Sequence, residues 1–252
     1  MDRDSPNKNS DNNLQFSLII PAFNEAERLS AFLPQLVREM KMADMMGELL
    51  LVDDGSFPQE HQAYLDMIRY LSSNSLIKLI KHEKNQGKGA AIKSGFEAAQ
   101  GHWVGFADAD GATSPQEIIR LLKFALSSQE YSGVFGSRIR MLGYSIERKL
   151  LRHLTGRIFV TLASNLLQIH MYDPQCGCKF FLKKDIMETL GTCRERGFLL
   201  DIELIAKCLK NGLKFIEVPI SWEDKAGSKV SVLSDGLKMF WGLLRIKRSL
   251  QK

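Results

Sequence analysis

The sequence predicts an α/β fold built on a mostly parallel, doubly wound sheet flanked by helices. Two observations carry that expectation. Short apolar runs alternate with segments of helical period over residues 16–136, the rhythm of successive strand–helix units. Several of those runs end in polar clusters, at the strand ends where such sheets bind ligands.

The elements follow in order. Residues 16–21 are an apolar run ending in Pro21, a buried strand. Residues 25–40 place Leu29, Phe32, Leu33, Leu36, Val37 and Met40 at helical spacing. Residues 48–52 are a second strand, cut off by Asp53-Asp54-Gly55-Ser56. A helix over 62–71, a strand over 77–81, a helix over 89–99 and a strand over 103–107 come next. The last of these stops at Asp108-Ala109-Asp110-Gly111. Ser114 is then a good N-cap and Pro115 a good first helical residue. A short strand covers 134–136. Beyond residue 140 the rhythm changes to a long helix over 148–169, basic at its start, and a loop and strand over 173–181. A helix over 199–211, a strand over 214–219 and a basic, apolar helix over 235–252 complete the chain.

Composition narrows the class. With 44% hydrophobic and 25% charged residues, 252 residues exclude a mainly disordered, collagen-like, coiled-coil or polytopic membrane chain. A net charge of +5 favours anionic partners without choosing among them. Residues 1–13, almost wholly polar, read as a disordered leader, and the absence of a linker or repeat leaves one catalytic domain over 14–235. Residues 236–252 form a separate basic amphipathic helix. The apolar stretch 158–169 is too short and too polar to span a bilayer. Cys176, Cys178, Cys193 and Cys208 lack zinc spacing and read as reduced thiols. His61, His82, His102, His153 and His170 show no ligand spacing and read as surface or packing residues.

Three clusters carry chemistry. Asp108 and Asp110 offer two hard oxygen ligands on one side of an extended chain, suited to Mg²⁺ or Mn²⁺ completed by phosphate and water. Alone, an Asp-x-Asp equally suits a solvated turn. Asp53 and Asp54 can accept from a base or a ribose, or simply cap a turn. In Asn85-Gln86-Gly87-Lys88-Gly89, Lys88 and Gly89 open a helix whose start favours a phosphate, although the spacing is not that of a P-loop. There is no GxGxxG for a dinucleotide and no G-x-S-x-G for a hydrolase.

Taken together and in order, Pro21-Ala22-Phe23-Asn24-Glu25, Val52-Asp53-Asp54-Gly55-Ser56, Asn85-x-Gly87-Lys88-Gly89 and Asp108-Ala109-Asp110 resemble glycosyltransferase family 2 over about residues 16–235. The resemblance implies the GT-A nucleotide-diphospho-sugar transferase fold. Within the family the chain is most similar to polyprenyl-phosphate hexosyltransferases, the dolichyl-phosphate β-glucosyltransferases above all. Asp108-Ala109-Asp110-Gly111-Ala112-Thr113, Asp173-Pro174-Gln175-Cys176-Gly177-Cys178-Lys179 and Gly227-Ser228-Lys229 resemble motifs of that branch.

The resemblance implies roles. Pro21, Ala22, Asn24 and Glu25 line the nucleotide pocket, Asp54 meets the base and Asp53 supports the ribose side. Asp108, with Ala109 and Asp110, holds the metal and diphosphate, and Lys229 contacts the donor phosphates. Asp173 and Gln175 sit by the transferred sugar, and Arg138, Arg148 and Arg152 take the acceptor phosphate, Arg138 first. Asp110, Asp173, Gln175 and Arg138 form the catalytic set. Two departures matter. Mannosyltransferase relatives carry a glutamine where this chain has Ala112, which leans the reading from mannose to glucose, and Cys178 replaces an aromatic residue.

The implied activity is inverting transfer of glucose from UDP-glucose to a polyprenyl phosphate at the cytosolic membrane face, with Mg²⁺ or Mn²⁺ as cofactor. The alternatives are a GDP-mannose-dependent enzyme, or a family 2 transferase with a sugar or protein acceptor. The chain shows neither the C-terminal spanning helices of some relatives nor the N-terminal anchor of others, so peripheral membrane contact is expected. The basic start of 148–169 and the Leu237, Phe240, Trp241 and Leu244 face of the last helix fit an interfacial role or simple core packing equally. Intact Asp108 and Asp110 argue against a non-catalytic binding module, and no basic–aromatic motif supports nucleic-acid binding. A homo-oligomer remains open.

Overall fold

The computed structural model describes residues 14–71, 76–139, 141–147, 150–225 and 232–251. Strands β1 (Phe16–Ala22), β2 (Gly47–Asp53), β3 (Leu76–Lys81), β4 (Trp103–Ala107) and β5 (Gly133–Ser137) alternate with helices α1 (Ala26–Met42), α2 (Pro58–Leu71), α3 (Lys88–Ala98) and α4 (Pro115–Ser127). A two-residue strand β6 (Ile146–Glu147), helix α5 (Leu150–Leu167), strand β7 (Cys178–Leu182) and helices α6 (Lys183–Thr192) and α7 (Leu200–Lys210) follow. The chain then runs through β8 (Phe215–Pro219), β9 (Trp222–Glu223) and α8 (Val232–Leu250).

The seven-stranded sheet has the order β3-β2-β1-β4-β7-β5-β8. Strands β3, β2, β1 and β4 are mutually parallel, as are β5 and β8. The strand expected within 173–181 is β7, which inserts antiparallel to both β4 and β5, a direction the sequence rhythm does not reveal. Two reversals restore direction, so β5 runs parallel to β4. The carboxyl ends of β1, β2, β4 and β5 therefore face one edge.

Both faces of the sheet are buried, which is why its strands read as continuous apolar runs rather than alternating ones. On β1, Phe16, Leu18 and Ile20 pack towards α1 and α4, while Ile19 packs towards α3. Leu49 and Leu51 of β2 face the first layer, and Leu50 and Val52 the second. Ser114 caps α4 as expected, its hydroxyl accepting the Glu117 N–H at 3.3 Å, with Pro115 in the first turn.

Differences from the sequence expectation lie mostly in the second half. Helix α6 was not expected. It follows β7 with no side-chain cap, and its first turn, Lys183-Lys184-Asp185, carries no apolar periodicity. Among the described residues, strands β6 and β9 pair only with each other, two residues apiece. Helix α8 buries Leu243 and Ile246 in the core and leaves Trp241 exposed, so its inner face packs on protein. Among the described residues, no helix is long and apolar enough to cross a membrane.

Candidate functional site

The site lies at the shared carboxyl edge and is held by backbone first. Asn24, at φ 52°, turns the chain out of β1. Its N–H donates to Ser56 Oγ at 2.9 Å and its side-chain oxygen accepts from Phe57 N–H at 2.9 Å. The Glu25 N–H donates to the Tyr64 hydroxyl at 2.8 Å. The loops after β1 and β2 are thereby zipped into one wall, with Pro21 and Ala22 as its base.

Asp53 and Asp54 both accept hydrogen bonds from within the protein. Asp53 is fully buried; Oδ1 accepts from Ser56 N–H at 2.9 Å, and Oδ2 lies 2.6 Å from His61 Nδ1. Asp54 accepts from Gln86 N–H at 2.9 Å and from Gly87 N–H at 2.8 Å. Its Oδ1 also lies 2.7 Å from His82 Nδ1, and His82 Nε2 is 2.9 Å from Ser94 Oγ. The expectation that the histidines are surface or packing residues is therefore corrected for His61 and His82. Each is hydrogen-bonded to one of the paired acids, across sequence separations of 8 and 28 residues that no local motif reveals.

Asp54 thus pins the loop before α3, and the next residue reaches β4. Lys88 Nζ lies 2.5 Å from Asp108 Oδ1. Consecutive residues, Gly87 and Lys88, bridge the acids at the ends of β2 and β4. Burial pulls the Lys88 pKa down, but the Asp108 carboxylate outweighs it and holds the ammonium above its ordinary value. The glycines here serve packing as well as any ligand: Gly87 sits at φ +102° with a would-be Cβ 2.6 Å from Arg196 O, and Gly89 would meet Gly197 O at 2.6 Å.

Asp108 and Asp110 flank the buried Ala109. Asp110 Oδ1 accepts from Ala112 N–H at 3.0 Å. Burial first, and then the neighbouring Asp108 charge, push the Asp110 carboxyl above the ordinary carboxylate range. A like-charged pair of hard oxygens fits a divalent cation, whose charge relieves that repulsion. Among the described residues no group of three or more His, Cys, Asp or Glu side chains could hold a metal. The remaining ligands of such an ion would come from substrate phosphate and water.

Arg138 follows β5 and meets Asp173 with both ends of its guanidinium: Nε to Oδ2 at 2.6 Å and Nη2 to Oδ1 at 2.7 Å. The Arg138 N–H also donates to Asp173 Oδ2, at 3.0 Å. Burial raises the Asp173 carboxyl, yet the guanidinium and its hydrogen bonds prevail and hold it below the usual range. Glu217 on β8 in turn accepts from the Tyr172 and Asp173 N–H groups at 2.6 and 2.7 Å. Gln175, half-buried, lies in the turn that follows. The sequence reading gave Arg138 and Asp173 separate roles; the fold joins them. The Trp222 ring lies 5.3 Å from the guanidinium, adding a cation–π contact.

Reasoning from sequence missed a second buried pair. Lys179 is fully buried on β7, 2.7 Å from Asp201 Oδ2 at the start of α7. Lys179 and Lys88 lie 5.4 and 5.7 Å from the Phe106 ring centroid. A lysine inside an apolar strand was the available signal, because a buried ammonium requires a partner. A cavity of about 840 Å³ adjoins the cluster, lined by Arg28, Phe32, Asp110, Gln116, Trp222 and Glu223 among others. Of the expected residues, Lys229 and Arg148 lie outside the described residues, and Arg152 lies on α5 with its side chain outside them.

This arrangement matches a known family. The glycosyl transferase family 2 model covers residues 17–190, from β1 through the Asp108–Asp110 pair and β7 into α6. The chain belongs to glycosyl transferase family 2. It is 29% identical to the dolichyl-phosphate beta-glucosyltransferase of Saccharomyces cerevisiae over 96% of its own length and 78% of that protein. A dolichyl-phosphate beta-glucosyltransferase of Trichomonas vaginalis is 30% identical over 91% of this chain and 72% of its own. Among solved structures, glucosyl-3-phosphoglycerate synthase from Mycobacterium tuberculosis in complex with Mn²⁺, uridine-diphosphate and phosphoglyceric acid superposes with a TM-score of 0.68. That match is 16% identical and covers 94% of this chain and 78% of that one. Mannosyl-3-phosphoglycerate synthase from Rubrobacter xylanophilus gives the same TM-score of 0.68, at 18% identity over 94% and 74% of the two chains. The fold is GT-A, as the order of motifs implied.

Proposed function

We propose that this family 2 member transfers glucose from UDP-glucose onto a polyprenyl phosphate, at the cytosolic face of a membrane, with a divalent cation. One observation carries the reading. The Asp54–Gly87–Lys88–Asp108 bridge and the Asp108–Asp110 pair stand at one sheet edge, in a chain that resembles dolichyl-phosphate beta-glucosyltransferases across 96% of its length.

The chemistry needs little from the protein as a base. A phosphate monoester is already anionic at neutral pH, so its oxygen attacks the anomeric carbon directly. The new C–O bond forms as the bond to the nucleoside diphosphate breaks, which inverts an α-linked donor to a β product. The protein's tasks are to position the two reactants and to stabilise the departing charge. Asp108 and Asp110 would hold Mg²⁺ or Mn²⁺, whose charge would offset that of the leaving diphosphate. Lys88 supplies a second fixed cation there. The wall of Asn24, Glu25 and Asp54 supports the nucleotide, and Arg138 with Asp173 forms the sugar and acceptor side, served by Gln175. Ala112 offers no further metal ligand, which favours glucose over mannose.

Thermal stability with nucleoside diphosphates tests the donor. A ligand that binds only the folded protein raises its apparent stability by mass action. A shift with UDP and Mn²⁺, but not with GDP, supports the reading. A shift with GDP alone would overturn the donor assignment.

A further inference from the structure

Strand β7 reads Cys178-Lys179-Phe180-Phe181-Leu182, so a lysine stands inside an apolar strand. Its side chain is fully buried, and its ammonium donates to Asp201 Oδ2 at 2.7 Å and to Cys176 O at 2.5 Å. The second acceptor leads to the site. Cys176 O belongs to the peptide that joins Cys176 to Gly177, and Gly177 O accepts the Asp108 N–H at 3.1 Å. Lys179 is also the cross-strand partner of Phe106, two residues before Asp108. The ammonium therefore holds the turn 173–177 one peptide away from the acid at the end of β4.

Asp201 brings in the other side of the site. It stands in the first turn of α7, where an acid suits the helix N-terminus, and its Oδ1 accepts the Ile202 N–H at 2.8 Å. The chain just before it braces the start of α3. Arg196 O accepts the Ala90 N–H at 2.9 Å, and a Cβ on Gly89 would stand 2.7 Å from Leu200 Cβ. Glu203, in the same turn of α7, fixes that brace by accepting the Arg194 and Glu195 N–H groups at 2.9 and 2.8 Å. Lys88 is the first residue of α3. One short stretch, 196–203, thus holds both the turn that backs Asp108 and the helix start that carries Lys88.

For stability alone, apolar side chains of similar volume often serve as well as a buried ion pair. This pair does what apolar side chains cannot: it fixes a carbonyl beside Gly177 by a charge-assisted hydrogen bond. Its charge also reaches the site. Burial lowers the Lys88 ammonium, and Asp108 first and then Asp201 raise it.

We propose that Lys179 and Asp201 are positioning residues whose ion pair ties the turn 173–177 to the start of α7 and so sets Asp108 against Lys88, at the spacing a divalent cation and a diphosphate require. The inference rests on the proposed function for the identity of those ligands, and on the contacts alone for the positioning.

The test uses the double variant Lys179→Met with Asp201→Leu, which removes both charges together and should melt near wild type. UDP is titrated with and without Mn²⁺. With Mn²⁺ the affinity of the double variant should fall about 10–100-fold, the scale of losing a group that orients a metal ligand, and without metal it should fall much less. A crystal structure of the double variant should show the Lys88–Asp108 contact broken. Asp201→Asn keeps the shape and an acceptor for Lys179, and should show a smaller loss of the same kind even if the double variant does not fold. A Mn²⁺-dependent gain equal to that of wild type in the variants, equal losses with and without metal, or an unchanged Lys88–Asp108 contact would overturn the proposal. Wild type that gains no UDP affinity from Mn²⁺ would instead overturn the donor and metal reading, and the Lys88–Asp108 contact in the variant would still decide the positioning.

Discussion

The α-carbon of Gly177 lies against the carboxylate of Asp108. A Cβ at position 177 would stand 2.1 Å from Asp108 Oδ2, and the Gly177 carbonyl accepts the Asp108 N–H at 3.1 Å. The glycine between Cys176 and Cys178 is thus where β7 makes room for the acid at the end of β4. In Gly177→Ala the atom displaced is the end of a side chain, so the fold should survive while Asp108 swings away. The expected result is activity lower by about a hundredfold, as when one electrostatic group is removed from a site, with the melting temperature nearly unchanged. Full activity in Gly177→Ala would show that Asp108 need not occupy the position seen.

His82 holds Asp54 in the wall of the candidate site. It bonds Asp54 on one side and Ser94 on the other, while Asp54 holds the Gln86 and Gly87 N–H groups. His82→Ala should cost about 1–3 kcal/mol of stability, because it leaves a buried carboxylate short of one partner. It should also weaken UDP binding more than it lowers kcat. His82→Asn, whose amide can still donate to Asp54, should recover part of both. Denaturant unfolding and UDP titration read the two effects; unchanged UDP affinity in His82→Ala would contradict the assignment.

The Arg138–Asp173 pair can be tested as a cycle. Breaking a buried pair leaves one charge uncompensated, at about 3–5 kcal/mol. Arg138→Met and Asp173→Asn should each destabilise strongly, while the double variant should cost less than their sum. All three should lose transfer activity. Additive losses of stability would mean that the two groups do not act as a pair.

The buried thiols set an alkaline limit to stability. Burial pushes Cys193 up to about 12 and Cys208 up to about 11. In the unfolded chain a thiol ionises near pH 8.5. Folding therefore retains a proton that the unfolded state releases, and the stability from this source is complete below about pH 8.5. It falls as pH rises towards 11–12. Melting temperature should decline over that window, and the decline should be shallower in Cys193→Ala. A thiol reagent should label neither cysteine in the folded protein at neutral pH.

Much of the fold was legible because both faces of the sheet are buried. Leu18, Ile19 and Ile20 are all apolar, and the polar residues at 53–56 and 108–111 mark where burial stops. What escaped depends on pairing between distant residues. The antiparallel β7 carries the same apolar signature, Phe180 and Phe181, as a parallel strand would, and only its partners on β4 and β5 reveal its direction. Helix α6 begins in a charged turn, so no periodicity announced it. At the site, the acids were visible as types in a pattern. Their partners His61, His82 and Arg138 were visible only as residues, because the contacts are made by tertiary packing and not by a local motif.

Glycolipid formation is the most direct measurement of the central claim. Wild-type protein is incubated with radiolabelled UDP-glucose, a polyprenyl phosphate and Mg²⁺ or Mn²⁺, and the organic phase is counted beside that of Asp110→Ala. Wild type should form labelled polyprenyl-phosphate glucose, and Asp110→Ala about a hundredfold less or lower, the scale of losing a group that stabilises developing charge. No labelled lipid from wild type, or equal label from Asp110→Ala, would contradict the claim.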